Sequence, residues 1–445
     1  MTHGANYRTP PIPDAPLPDI GDRLIPPERF HSRPWMDREW SALWKTVWNL
    51  GVREMEMPEP GDYLRHSLGK EDLVFMRGDD GQVRAFYNVC RHRGNQVCQG
   101  ARDGHLAHFQ CPYHGWTWNR DGTLKSVADP QFFKAFREGG VPAERLGLFE
   151  VKVETWAGWV WFSLDADAAP LRSYLGDIMD HVAPYQMEKW QVVDFKTLEW
   201  KCNWKHAVDA FLESYHFEAL HPQLLAWANG HDIPIELMGL HSRMYNYTGT
   251  LSPQIADRTT LSAAMRVVMQ SYLGVVIDPD TYQGSPEDVF LEVRRRKRAI
   301  QNDTYLPYAQ LADEQLSEIC HYGIFPNVIW AMQPEGMVMF RPRPHESDPG
   351  RCYYDLLLLA HNPPGTPQPE YEHRSFGPGE APSLAAVMNI HPVNAEVLEQ
   401  DAANLEPMQR GTASDVFDGM MLCDQEIRVR HFHNMVDDVI DKGSW

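Results

Sequence analysis

Trp and Leu recur at helical spacing in WMDREWSALWKTVW, between Pro34 and Leu50, which predicts an amphipathic helix there. Residues 51–165 then change character. Short β-branched and aromatic runs (DLVFMRG, VRAFYNV, HLAHFQCP, LFEVKVETWAGWVWFSL) are separated by turn signals at Asp79–Gly81, Asn119–Gly122 and Ala157–Trp159, the pattern of a small antiparallel all-β domain. DADAAP, Asp165 to Pro170, reads as a boundary. Beyond it, helices over Leu171–Tyr185, Trp204–Leu220 and Glu287–Gln301 mix with strands around Arg341 and over Cys352–Ala360, which predicts an antiparallel sheet with helices packed on one side. The expected fold class is α+β. Its segments are an N-terminal arm and helix over residues 1–50 packing with the third segment, the β domain over 51–165, and the helix-and-sheet domain over 166–445. Residues 1–30 read as an extended Pro-rich arm, and 362–382 as a Pro/Gly-rich surface loop.

Composition narrows the function classes. Hydrophobic residues make up 43% and charged residues 23%, ordinary for a globular chain. A net charge of −20 argues against nucleic acid, whose phosphates need Lys and Arg, and against an anionic membrane surface. Met1 to Ile20 has no apolar leader core, and the longest aliphatic stretch, near Leu356–Ala360, is too short to span a bilayer. The expectation is a soluble, cytoplasmic protein. The basic island RRRKR at Arg294–Arg298 reads as a solvated helix face. Seven cysteines are too sparse for a disulfide framework, so a Cys beside a His becomes a metal candidate.

Two such pairs exist. NVCRHRG supplies Cys90 and His92, and FQCPYHGW supplies Cys111 and His114, with eighteen residues between the pairs. Each half offers one thiolate and one imidazole. Two facing hairpin loops can therefore give both thiolates to one iron and both imidazoles to the other, which is Rieske [2Fe–2S] ligation. Gly94, Pro112 and Gly115 permit tight loops around the ligands. A structural zinc site fits less well, because zinc fingers order their ligands C, C, H, H. Cys98, His105 and His108 lie between the pairs without that loop chemistry and read as non-ligands.

Residues 204–222 read WKHAVDAFLESYHFEALHP. On one continuous helix Asp209, Glu213 and His216 share a face, and His221 stands before Pro222, where the helix should end. Two His and one distant carboxylate form the facial triad of oxygen-activating non-haem Fe(II), with coordination positions left open. The segment VLEQDAANLEPMQRG offers Glu399, Asp401 and Glu406 as that carboxylate.

With these motifs the sequence resembles the alpha subunits of Rieske ring-hydroxylating oxygenases, the group that includes naphthalene and biphenyl dioxygenases. The resemblance covers the whole-chain order: Rieske motif early, E-x-Y-H-x4-H in the middle, an acidic segment near the C-terminus. CPYHGWTWNRDGTL is especially close to the family pattern. The resemblance implies that Cys90, His92, Cys111 and His114 hold the cluster. It implies that His216, His221 and Asp401 hold the mononuclear iron, since D-x-x-N-L-E here matches the family's segment starting at the ligating Asp. It places Glu213 as the catalytic bridging carboxylate between a cluster His of one subunit and an iron-ligating His of the next, with Asp209 beside it. Most members have Asp at the bridge, and Glu is similar to the subgroup that oxidises quaternary amines. The implied architecture is an all-β Rieske domain with a helix-grip catalytic domain. The implied cofactors are a [2Fe–2S] cluster and mononuclear Fe(II), with O2 as co-substrate. NAD(P)H acts indirectly, since the chain has no Rossmann fingerprint. The implied partners are a reductase, a ferredoxin in some systems, and further copies of the chain in a homotrimer, with or without a beta subunit.

The expected function is therefore the terminal oxygenase of a multicomponent system that hydroxylates an aromatic or other small organic substrate. A rival within the class is an N- or O-demethylating monooxygenase acting on a quaternary amine or aryl ether. A rival of another class is a Rieske electron carrier, which needs neither the second iron nor a large second domain. Tyr322, Phe325, Val328 and Trp330 are the residues expected to line the substrate pocket.

Overall fold

The computed structural model describes residues 12–138, 143–380, 383–443 and 445. Residues 1–11 of the expected arm and 381–382 of the expected loop lie outside them. The chain divides into two compact units: Glu39–Tyr174 with Gly443–Trp445, and the chain up to Arg38 with Leu175–Lys442.

The first unit is all β. Its main sheet has seven strands in the order β1 (Asn49–Arg53), β10 (Trp159–Ser163), β9 (Glu150–Trp156), β4 (Val83–Tyr87), β3 (Glu71–Arg77), β2 (Asp62–Leu68) and β5 (Asp103–His105). A small three-stranded sheet follows: β6 (Phe109–Gln110), β7 (Thr117–Trp118) and β8 (Leu124–Ser126). All named pairings are antiparallel. Phe86, Phe109, Trp116 and Trp118 join Cys90 and Cys111 in one buried cluster, so the apolar core directly supports the two Cys/His loops.

This unit extends past both edges of the 51–165 segment. It takes in Glu39 to Leu50 because β1 pairs with β10 and the Trp48 indole donates to the Ala169 carbonyl at 2.8 Å. It runs on to Tyr174 because the Leu171 amide is held by Glu154 at 3.2 Å. The C-terminal Trp445 joins it by donating to the Thr46 carbonyl at 3.0 Å and packing edge-on against Tyr174. Only the arm up to Arg38 belongs with the second unit, through a bridge between Ile25 and Met420 and through Arg29, which reaches His433 and Asp437.

The second unit is built on a nine-stranded sheet. Its order is β12 (Ala228–Asn229), β14 (His241–Thr248), β15 (Ile319–Ile324), β16 (Val328–Gln333), β17 (Gly336–Pro344), β18 (Cys352–Ala360), β11 (Gln191–Trp200) and β19 (Arg374–Phe376), with β13 (Ile235–Met238) also on β14. Only β19 runs parallel to its neighbour. The β18 boundaries are those expected for the strand over Cys352–Ala360. At its centre Asp355 is fully buried and accepts from both Arg341 and Arg343, which satisfies the charge where β17 and β18 pair.

Several expectations change: the helix expected between Pro34 and Leu50 stops at Trp44, and that expected over Leu171–Tyr185 is broken into Leu171–Leu175 and Ile178–Val182. The segment 204–220 is not one helix: Trp204–Asp209 and Phe217–Leu220 are helical, and the chain between them is irregular. The Ser214 hydroxyl donates to the Gly230 carbonyl, and a Glu213 carboxylate oxygen takes the His216 amide, so side-chain partners replace the helical ladder here. The basic island sits on the helix Val289–Ala299 but is not simply a solvated face. Lys297 is fully buried against Glu335, Arg294 binds Glu318, and Arg298 binds Asp313 and the Tyr308 and Leu311 carbonyls.

Candidate functional site

The two loops of the β unit repeat one hydrogen-bond plan. The Cys90 amide donates to the Asn95 carbonyl and the Gly94 amide to the Cys90 carbonyl; the Cys111 amide donates to the Trp116 carbonyl and the Gly115 amide to the Cys111 carbonyl. Gly94 and Gly115 take φ of +77° and +70°, and a Cβ at either would meet no close neighbour, so glycine is needed for the left-handed turn rather than for space. The equivalent loops bring the His92 and His114 rings to a centroid distance of 4.6 Å. His92 stacks on Trp116 at 5.0 Å, which fixes the ring plane, and its Nδ1 is buried without a hydrogen-bond partner. The Asn95 amide reaches the Cys111 sulfur at 3.9 Å.

Burial pushes the Cys90 thiol up. It opposes ionisation of Cys111 too, but the Tyr113 amide, the Cys90 thiol and the His114 amide outweigh it and hold Cys111 below the ordinary thiol range. Two paired sulfurs with amide donors around them, and a buried imidazole nitrogen left free, suit a cluster with thiolates on one iron and imidazoles on the other. Cys98 lies elsewhere in the loop core, with its backbone held by Asn88, and His105 pairs with Asp62 at 2.9 Å.

In the second unit His216, His221 and Asp401 each point one ligand atom to a common spot, all within 4.8 Å of one another. His221 ends the short helix before Pro222, as the sequence predicts, and turns its Nε2 to within 3.0 Å of the Asp401 Oδ1. The His216 Nε2 is 3.6 Å from the same oxygen. The other nitrogen of each ring is already engaged. His216 Nδ1 donates to Glu213 at 2.5 Å, and His221 Nδ1 donates to the Gln400 side-chain Oε1 at 2.7 Å. These bonds put the proton on Nδ1 and leave both Nε2 lone pairs for a metal. Gln223 steadies Gln400 by donating to the same oxygen. Burial opposes a positive charge on His216, but Glu213 and then Asp401 override it and raise its pKa, so the spot favours a cation.

The helix Pro392–Thr412 supplies Asp401. Asn394, Val397, Leu398 and Asp401 fall on one helical face and line the same cavity. Glu399 instead accepts from the Leu384 amide, and Glu406 faces Lys201, so neither competes as the third ligand.

Asp209 does not line that cavity. It is buried and bound to His433 Nε2 at 3.1 Å, while Arg29 lies 3.1 Å from His433 Nδ1. Arginine can only donate, so Nδ1 accepts and His433 donates its Nε2 proton to Asp209. Burial pushes Asp209 up to about 7 against the lowering influence of His206, Lys205 and Arg29. Asp209 thus buttresses the stretch before Glu213 rather than facing a substrate.

The cavity beside the metal residues measures about 330 Å³. The expected lining is corrected by strand alternation. His321 of β15 and Ala331 and Gln333 of β16 face the cavity, whereas Tyr322 and Trp330 point to the other side of the sheet. Phe325 and Val328 border a separate small cavity with Val208, Leu212 and Phe432. Sequence reasoning also missed Gln400, Gln223, Asn95 and Trp116. For Gln400 and Asn95, nearness to a ligand in the sequence was the only available signal.

Residues 187–442 match the family described as ring hydroxylating alpha subunit (catalytic domain), and residues 47–137 match the Rieske [2Fe–2S] domain. The chain belongs to the ring-hydroxylating alpha subunit family, whose cofactors are a Rieske cluster and a mononuclear iron. It is 33% identical over 179 residues to the glycine betaine monooxygenase oxygenase subunit of Pseudomonas aeruginosa (strain UCBPP-PA14), covering 40% of each chain. It is 30% identical over 226 residues to the biphenyl 2,3-dioxygenase subunit alpha of Rhodococcus jostii (strain RHA1), covering 47% of this chain and 46% of that one. The matched stretches thus span less than half the length of these relatives. In fold it resembles a quaternary ammonium Rieske monooxygenase solved with L-carnitine, with a TM-score of 0.64 at 18% identity, covering 94% of this chain and 95% of that one. It resembles a naphthalene 1,2-dioxygenase from Rhodococcus sp. equally, with a TM-score of 0.65 at 19% identity and 94% coverage of both. Among the described residues no helix is long and apolar enough to cross a membrane.

Proposed function

We propose that the chain is the terminal oxygenase component of a multicomponent Rieske system, which uses electrons from NAD(P)H and O2 to hydroxylate a small organic substrate. The observation that carries this reading is the convergence of His216, His221 and Asp401 on one spot in the wall of a mostly apolar cavity, in a chain that also holds the paired Cys/His loops. Cys90, Cys111, His92 and His114 hold the cluster; His216, His221 and Asp401 hold the iron. When bound, the cluster supplies single electrons and the iron supplies O2 activation.

The protein's own groups orient and protect that chemistry. Gln400 and Glu213 hold the two imidazoles with Nε2 towards the metal position. Phe211, Phe217 and Leu398 help close the cavity against water. Glu213 spends one oxygen on the His216 ring and the other on the His216 amide. A carboxylate has about four acceptor positions, so it can take a further N–H from His114 of another copy in a ring of three. A separate reductase, with or without a ferredoxin, delivers the electrons.

The test is NADH and O2 consumption by the purified protein with a reductase, screened over aromatic hydrocarbons, aromatic acids and quaternary amines. About two labile sulfides and three irons per chain should accompany activity. Stoichiometric zinc in a colourless protein refutes the reading.

A further inference from the structure

We infer that the cavity takes an uncharged, mainly apolar ring compound bearing one hydroxyl or N–H group, and that His321 and Asn246 on the sheet floor bind that group. The inference rests on reading the cavity as the oxygenase substrate site. It names the substrate class, which the family leaves open between aromatic compounds and quaternary amines.

The register places the polar groups. On β14 and β15, Met244 pairs with His321 and Asn246 with Ile319, so Asn246 and His321 are diagonal neighbours on one face. On the other flank His321 pairs with Ala331 of β16, two residues before Gln333. All three polar side chains line the cavity. His321 is only 5% exposed, and its Nδ1 has no hydrogen-bond partner; the Asn246 side-chain oxygen is likewise buried and unpartnered. A buried polar atom left unpaired costs about 1–3 kcal/mol, so a small rotation of either side chain that brings its atom to a partner held in the cavity is favourable. The Asn246 oxygen can only accept, so its partner must donate. Burial, with Arg428 beside it, keeps His321 neutral, so the ring offers one donor and one acceptor. A hydroxyl, which both donates and accepts, can satisfy both residues.

Charge weighs against the alternatives. Among the described residues no Lys or Arg lines the cavity, so a carboxylate substrate would lack a counter-ion. The acidic residues of the lining are committed: Glu213 to His216, Asp401 to the metal position, and Glu335 to the buried Lys297 and the Tyr308 hydroxyl. A quaternary ammonium group would therefore find no free carboxylate and only aromatic faces to hold it, so the betaine arm of the titration decides against it or for it. The remaining wall mixes aliphatic side chains such as Leu224, Met337 and Leu359 with two aromatic pairs: Phe211 stacks on Phe340 at 4.5 Å, and Trp227 packs edge-on against Tyr272 at 5.1 Å. A volume of about 330 Å³ suits one or two rings.

The test is anaerobic calorimetric titration of the purified protein with 1-naphthol, naphthalene, 1-naphthoate and glycine betaine, which needs no turnover. The wild-type protein should bind 1-naphthol about tenfold more tightly than naphthalene, the worth of one or two neutral hydrogen bonds. It should bind naphthoate and betaine more weakly than 1-naphthol. His321→Phe and, separately, Asn246→Leu should bring the naphthol-to-naphthalene ratio towards one while naphthalene still binds. Tighter binding of betaine or naphthoate overturns the assignment, as does an unchanged ratio in both variants. Iron and labile sulfide measured on the same samples separate the two readings. A naphthol preference in colourless protein that holds stoichiometric zinc supports the cavity assignment and removes the oxygenase. A metal-replete wild-type protein without the preference overturns the cavity assignment alone.

Discussion

The β unit builds its candidate cluster site twice from one local plan. Each loop is a few residues long, turns on a glycine with positive φ, and closes on its own Cys through two backbone hydrogen bonds. The site in the second unit is assembled once, from unlike parts. His216 lies in an irregular turn, His221 at a helix end, and Asp401 on a long helix 180 residues after His221. A site made of short loops depends mainly on local backbone geometry. A site drawn from distant segments depends on everything that holds those segments in place: Gln400 and Gln223 around His221, Glu213 around His216, and Asp209 with His433 and Arg29 behind the turn. The first site should therefore respond to its ligands and little else, whereas the second should be sensitive to residues that touch no metal.

Ligand removal tests that contrast with the largest effects. His216→Ala or Asp401→Ala should abolish turnover, a loss on the order of 10³-fold or more, and release one iron per chain while the cluster spectrum persists. Cys111→Ser should do the reverse, bleaching the cluster and sparing the mononuclear iron. If either change empties both sites, the two are not independent. Glu213→Gln should lower turnover by about 10–100-fold with both metals retained and the cluster still reducible, because an amide nitrogen cannot accept from an imidazole. Normal single-turnover transfer to the iron in that variant rules out the bridge. Gln400→Leu should weaken iron binding by about tenfold through His221 alone, measured by competition with a chelator.

The smallest effect concerns Asp209. It ionises near 3.8 when exposed and near 7 in the fold, so the folded protein binds the extra proton between those values. Its contribution is present below about pH 4 and is lost as the pH rises through about 7. Arg29, Lys205, His206, Glu213 and His433 all face this group. Asp209→Asn keeps the acceptor for His433 and removes the titration. It should flatten the fall in stability between about pH 4 and 7 by about 1–3 kcal/mol, read from denaturant midpoints. An unchanged pH profile would show that Asp209 stays ionised in the fold.

The legible part of this protein lies where chemistry is local in the chain. Cys90, His92, Cys111 and His114 stood out because ligand types and turn-forming glycines sit within a few residues of each other. His221 was legible through Pro222, and β18 through the run Cys352–Ala360, whose ends match the observed strand. The α+β class followed from the shift between two hydrophobic periods. The helix over 204–220 was misread because propensity cannot foresee that Ser214 would bond Gly230, or that Glu213 would cap His216.

Tertiary structure alone decided the rest. Three carboxylates were plausible third ligands by type; Asp401 is the one whose helical face meets the two imidazoles, while Glu399 and Glu406 turn elsewhere. The cavity lining was decided by strand register, since a shift of one residue exchanges Tyr322 for His321 and Trp330 for Ala331. The ends of the β unit were decided by long-range pairing, as the contact of Trp445 with Thr46 shows. A sequence determines which groups are available and how neighbours within a turn must lie; the packing of distant segments determines which of those groups meet.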